Sequence, residues 1–273
     1  MRIKYSVLMS VYKNEKPIFL RQSIQSMLNQ TVKPAEFVLI EDGPLTDELY
    51  KEIDYFVEKY KNLFTVIKLK KNMGLGPALA IGVKKAKYDY IARMDSDDIS
   101  IPTRIESELA EFKKDKSLAL VGSNVDEFEG SIDNIISHVL LPEDNEDIIK
   151  FNKKRAPFRH PSIVFKKDVI LKVGNYRKYN LFEDYDLYNR IIINGYKCKN
   201  IQQVLVYMRT DKNFYKRRSG IKYALTMTKF RWGQHTDGIT NFLEFFLFTS
   251  CHFFVCVIPN NIRKLIYKKL LRK

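Results

Sequence analysis

The sequence predicts an α/β fold: a mixed, mainly parallel β-sheet flanked by helices, with a helical extension at the carboxyl end. Three observations carry this. Short runs rich in branched and aromatic residues alternate with amphipathic stretches through the first half, as in successive βαβ units. Two of those runs end in acidic residues, Glu41 and Asp42 after one and Asp95, Ser96, Asp97 and Asp98 after another. Ligands of open α/β sheets bind beyond the carboxyl ends of strands, so both clusters fall on one functional edge. Finally, hydrophobic residues fill 45% of 273 positions, enough for a full core and too many for a disordered chain.

Taken in order, strands are expected over residues 5–10, 36–40, 64–70 and 88–94. The first holds only a short apolar run with no small-residue cleavage site, so it is read as a strand rather than a secretory signal, and the chain as cytosolic. Helices fall between the strands. Apolar residues at 20, 24, 27 and 28 mark one over 18–30, and those at 49, 53, 56 and 57 mark one over 47–60. A third follows Gly74 and Gly76, with Pro77 tolerated near its start. After Pro102 a helix runs to about Lys114, then a β-rich passage over 118–128 and a helical one over 144–151. Residues 160–165 read as a strand, and 184–194 as a helix closed by Gly195. No linker or repeat interrupts the chain before about residue 210. The expected organisation is a domain over 1–210, divided into halves 1–100 and 101–210, and an extension over 211–273.

The formal charge is +15, and its location matters more than its size. Residues 196–232 carry ten Lys or Arg against Asp211 alone, and residues 259–273 carry six against none, so the rest of the chain is close to neutral. The three cysteines, Cys198, Cys251 and Cys256, have neither even number nor metal-ligand spacing, which excludes a disulfide framework and a zinc site and fits a reducing compartment.

Three carboxylates within the four residues Asp95 to Asp98 repel one another at a strand end. A hard divalent cation, magnesium or manganese (Mg2+ or Mn2+), completed by a diphosphate, would relieve that repulsion better than zinc. The plainer account is a solvated turn capping the next helix, since Asp favours both roles. Residue chemistry alone leaves the two level.

Five segments in register decide between them. They are Ser6-Val-Leu-Met-Ser-Val-Tyr12, Leu39-Ile-Glu-Asp-Gly43, Asn72-Met-Gly-Leu-Gly-Pro-Ala-Leu-Ala-Ile-Gly82, Ile91-Ala-Arg-Met-Asp-Ser-Asp-Asp-Ile99 and Phe182-Glu-Asp-Tyr-Asp-Leu187. Over roughly residues 4–210 the chain resembles the inverting family-two glycosyltransferases of the Rossmann-like GT-A fold, in particular the amylovoran type that assembles bacterial capsules and exopolysaccharides. The resemblance implies that Asp97 binds the metal and that Asp95, with Ser96 beside it, lies near the ribose and diphosphate. It implies that Asp42 bonds the nucleotide base, commonly uracil, and that Tyr12 and Glu15 close over the nucleotide. Asp184 matches the catalytic base and Glu183 its neighbour on the acceptor side, although acids in a first helical turn are also favoured by the dipole alone. On the same grounds Asp186 is expected to be solvated. His160, in Arg159-His160-Pro161, matches a stretch beside the acceptor, but a lone His at a strand start is as often a structural hydrogen-bonder. Arg93 points toward the same edge, where it would pair with a donor phosphate or simply balance a nearby acid.

The chemistry is coherent. The leaving nucleoside diphosphate gains negative charge that a metal on Asp97 stabilises, and a carboxylate takes the proton of the attacking acceptor hydroxyl. One such displacement inverts the anomeric configuration. Two departures from the family pattern stand out. Leu79 and Ala80 replace a common Arg-Asn, and Thr228 replaces the Gln of the processive Gln-X-X-Arg-Trp, which implies addition of one sugar.

Residues 242–258 are aromatic and apolar but shorter than a spanning helix, so they pack as a hairpin or enter the membrane surface. Ile262, Leu265, Ile266 and Leu270 then align at helical spacing among six cations, the pattern of a helix lying on anionic lipid. The expected partners are therefore a nucleotide sugar, a UDP-sugar by resemblance, a lipid-linked saccharide acceptor and an anionic membrane surface, at the inner face of the cell membrane. Nucleic acid is not expected as a partner. A nucleic-acid-binding protein using 196–232 is one rival, since aromatics interleave there with Lys and Arg, but it leaves the acidic strand ends unexplained. A sugar-phosphate nucleotidyltransferase is another, which Tyr12-Lys-Asn-Glu15 opposes by lacking a glycine-rich loop. A binding-only relative is opposed by Asp95, Asp97 and Asp184.

Overall fold

Strand alternation organises the first half. In the computed structural model, which describes residues 3–179, 181–210 and 219–258, the chain opens with β1 (Tyr5–Val11), α1 (Pro17–Leu28), β2 (Glu36–Glu41), α2 (Asp47–Lys59), β3 (Phe64–Lys68), α3 (Leu75–Lys85) and β4 (Tyr90–Arg93). Leu8, Val38 and Ile40 point to one face of the sheet, where they pack with Leu79 and Val83 of α3. Val7, Met9, Phe37 and Leu39 point to the other, against Leu20 and Ile24 of α1 and Leu49 and Phe56 of α2. Both faces are covered, which is why β1 and β2 read as near-continuous apolar runs. All pairings among these four strands are parallel, with Val11 opposite Glu41 and Leu8 opposite Arg93. Thr46 caps α2 by accepting from the Leu49 amide at 3.4 Å, and Asp47 and Glu48 in its first turn suit the dipole.

The second half continues with β5 (Ile99–Ser100), α4 (Arg104–Lys114), β6 (Leu118–Phe128), β7 (Ile135–Val139), α5 (Asn145–Asn152), β8 (Val164–Lys166), α6 (Lys167–Lys172), α7 (Glu183–Ile193), β9 (Lys197–Arg209), α8 (Ile221–Thr236) and α9 (Phe242–Val257). The described strands form one sheet in the order β3-β2-β1-β4-β8-β6-β9-β5, with β7 beside β6. β8 runs antiparallel between β4 and β6, and β6 and β9 form a long parallel pair from Leu118 to Phe128. The sheet is therefore mixed and mainly parallel, as expected.

One expected strand changes character. His160–Ser162 is a 3-10 turn, because Pro161 has no amide to give a ladder and the Ser162 amide returns to the Arg159 carbonyl at 3.0 Å. Only Val164–Lys166 remains as strand. The basic stretch 196–232 includes, among the described residues, β9, which is sheet, and the first part of α8, which packs on α7 through Met227, Phe230, Phe182 and Tyr185. Arg231 of α8 is buried and donates to the carbonyls of Lys153 and Lys154. Thr228, one turn earlier, donates to the Ala224 carbonyl within α8.

Residues 242–258 form a helix folded back on α8, started by a capping box between Asn241 and Glu244. Among the described residues no helix is long and apolar enough to cross a membrane. The amphipathic segment with Ile262, Leu265, Ile266 and Leu270 lies outside the described residues, as do Phe214 and Tyr215.

Candidate active site

At β1 the connections part, to β2 on one side and to β4 on the other, and the carboxyl ends of the three strands leave a crevice there. A cavity of about 860 Å3 opens at that point, lined among others by Tyr12, Glu15, Asp42, Asp95, Ser96 and Asp97. The structure thus brings together six of the residues singled out in the sequence. Arg93, His160, Glu183 and Asp184 are not among its lining residues.

The loop after β4 is braced from two sides. Ser23 of α1 donates its hydroxyl to the Asp95 carbonyl at 2.6 Å, and Ser96 donates to Glu15 at 2.5 Å. Asp98 is buried and accepts the Arg209 amide at 2.7 Å, so it serves the backbone while Asp95 and Asp97 reach the cavity. Burial, then the charges of Asp95 and Glu15, push the Asp97 carboxyl up to about 7. Burial and the charges of Asp97 and Asp95 raise Asp98 as well. Such crowding is what a bound cation would relieve. Among the described residues no three His, Cys, Asp or Glu side chains converge to hold an ion alone. The donor set fits a hard ion that takes Asp97, with Asp95 beside it, and completes its shell with diphosphate oxygens and water.

Asp42 is buried at the end of β2. Its two oxygens accept the amides of Met73 at 2.7 Å and Gly74 at 3.0 Å, which ties β2 to the start of α3. The approach depends on Gly43, where φ is +88° and a Cβ would stand 2.6 Å from the Asn72 nitrogen. Each Asp42 oxygen keeps a second lone pair for a ligand in the cavity that it lines.

Glu183 and Asp184 open α7. The Asp184 carboxylate accepts the Tyr185 amide at 2.7 Å, and burial followed by the Asp184 charge pushes Glu183 up to about 7. Glu183 packs on α3 at Gly76, next to Gly74 and Leu75 of the cavity wall. Asp186 is not solvated. It is buried and ion-paired with Arg190 at 2.6 Å, a contact that holds α7 together.

Between the two acidic groups lies Arg93, which is 1% exposed and paired with Asp95. Burial would lower its pKa, but Asp95 outweighs that and raises it. Its charge in turn favours the ionised forms of Asp97, Asp98 and Glu183. Arg93 therefore balances acids on both sides rather than opening onto the cavity. His160 is buried near it, bonded to the Tyr176 hydroxyl at 2.9 Å, and burial followed by the Arg93 charge holds it well below the ordinary His range, hence neutral.

Sequence reasoning missed Arg209 at the end of β9. It donates to the Asp97 carbonyl at 2.9 Å, to Gln22 at 2.7 Å and to the Gly130 carbonyl at 3.2 Å. Its guanidinium also lies over Phe19 at 3.8 Å and Phe128 at 4.5 Å. Arg209 sat inside the basic stretch 196–232, where only its charge was visible.

The family model described as Glycosyl transferase family 2 matches residues 6–174. An Escherichia coli protein named UDP-Gal:alpha-D-GlcNAc-diphosphoundecaprenol beta-1,3-galactosyltransferase is 40% identical over 272 residues, covering 99% of this chain and 97% of that one. The amylovoran biosynthesis glycosyltransferase AmsE of Erwinia amylovora is 31% identical over 267 residues, covering 97% and 98%. Among solved structures, S. aureus TarS 1-349 in complex with UDP-GlcNAc matches with a TM-score of 0.68 at 14% identity, covering 98% of this chain and 75% of that one. A longer TarS chain matches at 0.66, and this chain spans 46% of it. Mannosyltransferase PcManGT from Pyrobaculum calidifontis, in complex with GDP-Man and Mn2+, matches at 0.66 and 14% identity, covering 93% and 70%. At that identity the structural likeness is one of fold.

Proposed function

The chain belongs to glycosyl transferase family 2, and from that premise we propose that it moves one sugar, with inversion, from a UDP-sugar to a lipid-linked saccharide that grows into a bacterial surface polysaccharide. The observation that carries the reading is the cavity at the ends of β1, β2 and β4, with Asp42 at the β2 end and Asp95 and Asp97 at the β4 end. UDP-galactose and an acceptor ending in GlcNAc-diphosphate-lipid are the substrates to try first, because the E. coli relative at 40% identity is named for them.

In this reading Asp42 and Tyr12 hold the nucleoside, and Glu15 and Ser96 close the loop over it. Asp97 holds Mn2+ or Mg2+ against the diphosphate, with Asp95 beside it. The bound ion supplies Lewis-acid stabilisation of the leaving diphosphate. Asp184 accepts the proton of the acceptor hydroxyl as that oxygen attacks the anomeric carbon from the side opposite the diphosphate. Glu183 and the buried group of His160, Tyr176 and Arg93 shape the acceptor side. Thr228 in place of the processive Gln, together with the use of Arg231 in packing, supports release after one addition. The enzyme works at the inner face of the cell membrane, to which the basic residues 259–273 bind it.

Calorimetry of UDP, with GDP and dTDP as controls, tests the donor half with and without manganese on wild type and Asp97→Asn. Manganese-dependent UDP binding, lost in Asp97→Asn, is expected. No nucleotide binding under any metal condition would overturn the reading and return attention to the basic carboxyl-terminal third. Transfer of labelled galactose from UDP-galactose to a GlcNAc-diphosphate-lipid then tests the substrates.

A further inference from the structure

The helical hairpin of α8 and α9 has an outer surface that a soluble domain has no use for. α9 turns Phe245, Phe248 and Cys256 inward. Phe245 stacks on His235 at 5.7 Å and meets Trp232 edge-on at 5.4 Å, and the Cys256 carbonyl accepts the Gly220 amide at 3.0 Å, so the rotation of α9 is set at both ends. Its other face carries Phe242, Leu243, Phe246, Leu247 and Phe254, each 49% to 64% exposed. Across the seam α8 adds Ile221, Leu225 and Trp232, at 66%, 58% and 50%. Apolar residues of this size, clustered on one element, mark an interaction surface.

We propose that this face is a monotopic membrane dock, which lies in the headgroup boundary of an anionic bilayer with its aromatic side chains among the upper acyl chains. Length excludes crossing. Sixteen residues rise about 24 Å, short of the roughly 30 Å hydrocarbon core. Charge selects lipid over a second copy of the chain. α8 has no acid in its sixteen residues and exposes Lys222 and Lys229. The one acid of α9, Glu244, is bonded to Lys153 at 2.8 Å. Two copies meeting across a two-fold axis would set like charges around one seam, whereas anionic headgroups meet the same cations favourably. Residues 259–273, directly after α9, add six cations and no acid.

The dock also bears on the acceptor, a consequence that rests on the transferase reading. Phe230 of α8 stacks on Phe182 at 4.7 Å, and Phe182 directly precedes Glu183 and Asp184. One aromatic contact therefore joins the lipid-facing hairpin to the acids proposed to receive the acceptor. Lying on the bilayer, the hairpin would hold those acids at the height where a sugar on a membrane-embedded diphosphate lipid emerges.

Flotation of the full chain on vesicles of phosphatidylethanolamine and phosphatidylglycerol in equal parts, without nucleotide or acceptor, tests the dock. Phosphatidylcholine vesicles serve as the control, and a double variant, Phe246→Ser with Phe254→Ser, removes two exposed rings that belong to none of the buried clusters among the described residues. The expected result is binding to the anionic vesicles, weaker on phosphatidylcholine, and weakened roughly tenfold or more in the double variant at an unchanged melting temperature. Unchanged flotation of the variant would assign binding to residues 259–273 alone and overturn the proposal. So would a wild-type dimer, seen by light scattering, that the variant splits and that ignores vesicles. Because no donor or acceptor is present, failure of sugar transfer leaves this result standing, and failure of flotation leaves transfer to a water-soluble acceptor intact.

Discussion

Gly76→Ala is expected to uncouple the two halves of the site. A Cβ at position 76 would stand 2.3 Å from the Arg177 carbonyl oxygen and 3.1 Å from the Glu183 Cβ. Non-bonded carbon contacts settle near ~3.5 Å, so one side must retreat by about 1 Å. The obstacle is backbone, which cannot swing aside as a long side chain does. α3 is the firmer side, because the Met73 and Gly74 amides are held by Asp42 and Gly82 packs under Leu8 and Ile40. Residues 174–179 and 181–182 are irregular, with positive φ at Gly174, Asn175 and Leu181, so the amino end of α7 is the side that moves. Overpacking of this kind costs about 1–3 kcal/mol of stability. A proton acceptor displaced by 1 Å costs up to about 100-fold in rate. Steady-state transfer, UDP calorimetry and thermal melting together separate the effects. The expected pattern is a kcat reduced between about tenfold and 100-fold, UDP affinity within about threefold of wild type, and a lowered melting temperature. A kcat within about twofold of wild type would refute the reasoning, since the contact between α3 and α7 would then not set the position of Asp184.

Three further outcomes follow from the same geometry. Asp97→Asn keeps the shape and removes the charge, so manganese-dependent activity is expected to fall roughly 100-fold or more while the fold, followed by melting, holds or gains stability because a crowded buried carboxylate is gone; wild-type manganese affinity in this variant would show that another group binds the ion. Arg209→Lys retains charge but loses the fork that joins Asp97, Gln22 and Gly130, and the manganese concentration for half-maximal activity is expected to rise about tenfold, with Arg209→Ala worse, as read from metal titrations. Glu108 is buried against Arg104, and burial raises it from the ordinary 4.5 to about 7. The folded state therefore holds that proton more tightly than the unfolded chain, and stability must fall as pH rises from about 4.5 through 7, by up to about 3 kcal/mol. Urea unfolding across that range should show the decline in wild type and a flatter profile in Glu108→Gln; identical profiles would remove Glu108 as the cause.

How much of this was legible in the sequence depended on what each segment packs against. β1 and β2 are covered on both faces by helices, so their apolar runs stand out, and α2 carries its own start signal in Thr46, Asp47 and Glu48. β9 escaped notice because it is long, half-exposed and broken by Lys199, Gln202 and Gln203, while its pairing partners lie in β6, Leu118 opposite Lys197 and Phe128 opposite Arg209, far earlier in the chain. α8 falls inside the expected helical extension, but its bounds could not be read. Its inward face mixes Ala224, Met227 and Phe230 with the polar Arg231 and Gln234, which bond to the carbonyls of residues 152–154, so the apolar stripe is interrupted. The site shows the same division. Asp42, Asp95 and Asp97 follow apolar strands and could be found locally. Arg209 reaches the Asp97 carbonyl from 112 positions away, and nothing near it in sequence announces that contact.

The position of Arg93 explains why the two acidic groups can coexist. In the proposed mechanism Asp95 and Asp97 need negative charge to hold a cation, and a proton acceptor on the opposite side must also be ionised when the acceptor arrives. Placed in one dry pocket, these carboxylates would raise one another's proton affinity until one set stayed neutral. A buried guanidinium between them is costly to desolvate, but it cannot lose its proton and it lowers the proton affinity of both Asp97 and Glu183. Lysine there would be a weaker solution, because burial would tend to neutralise it. His160 is held neutral by burial first and by the same charge second, and keeps its hydrogen bond to Tyr176, so the region carries one fixed cation. Of the two roles that the sequence left open for Arg93, a donor phosphate or a nearby acid, the buried pairing with Asp95 favours the second, and in the proposed reading its charge eases ionisation on the donor and acceptor sides together.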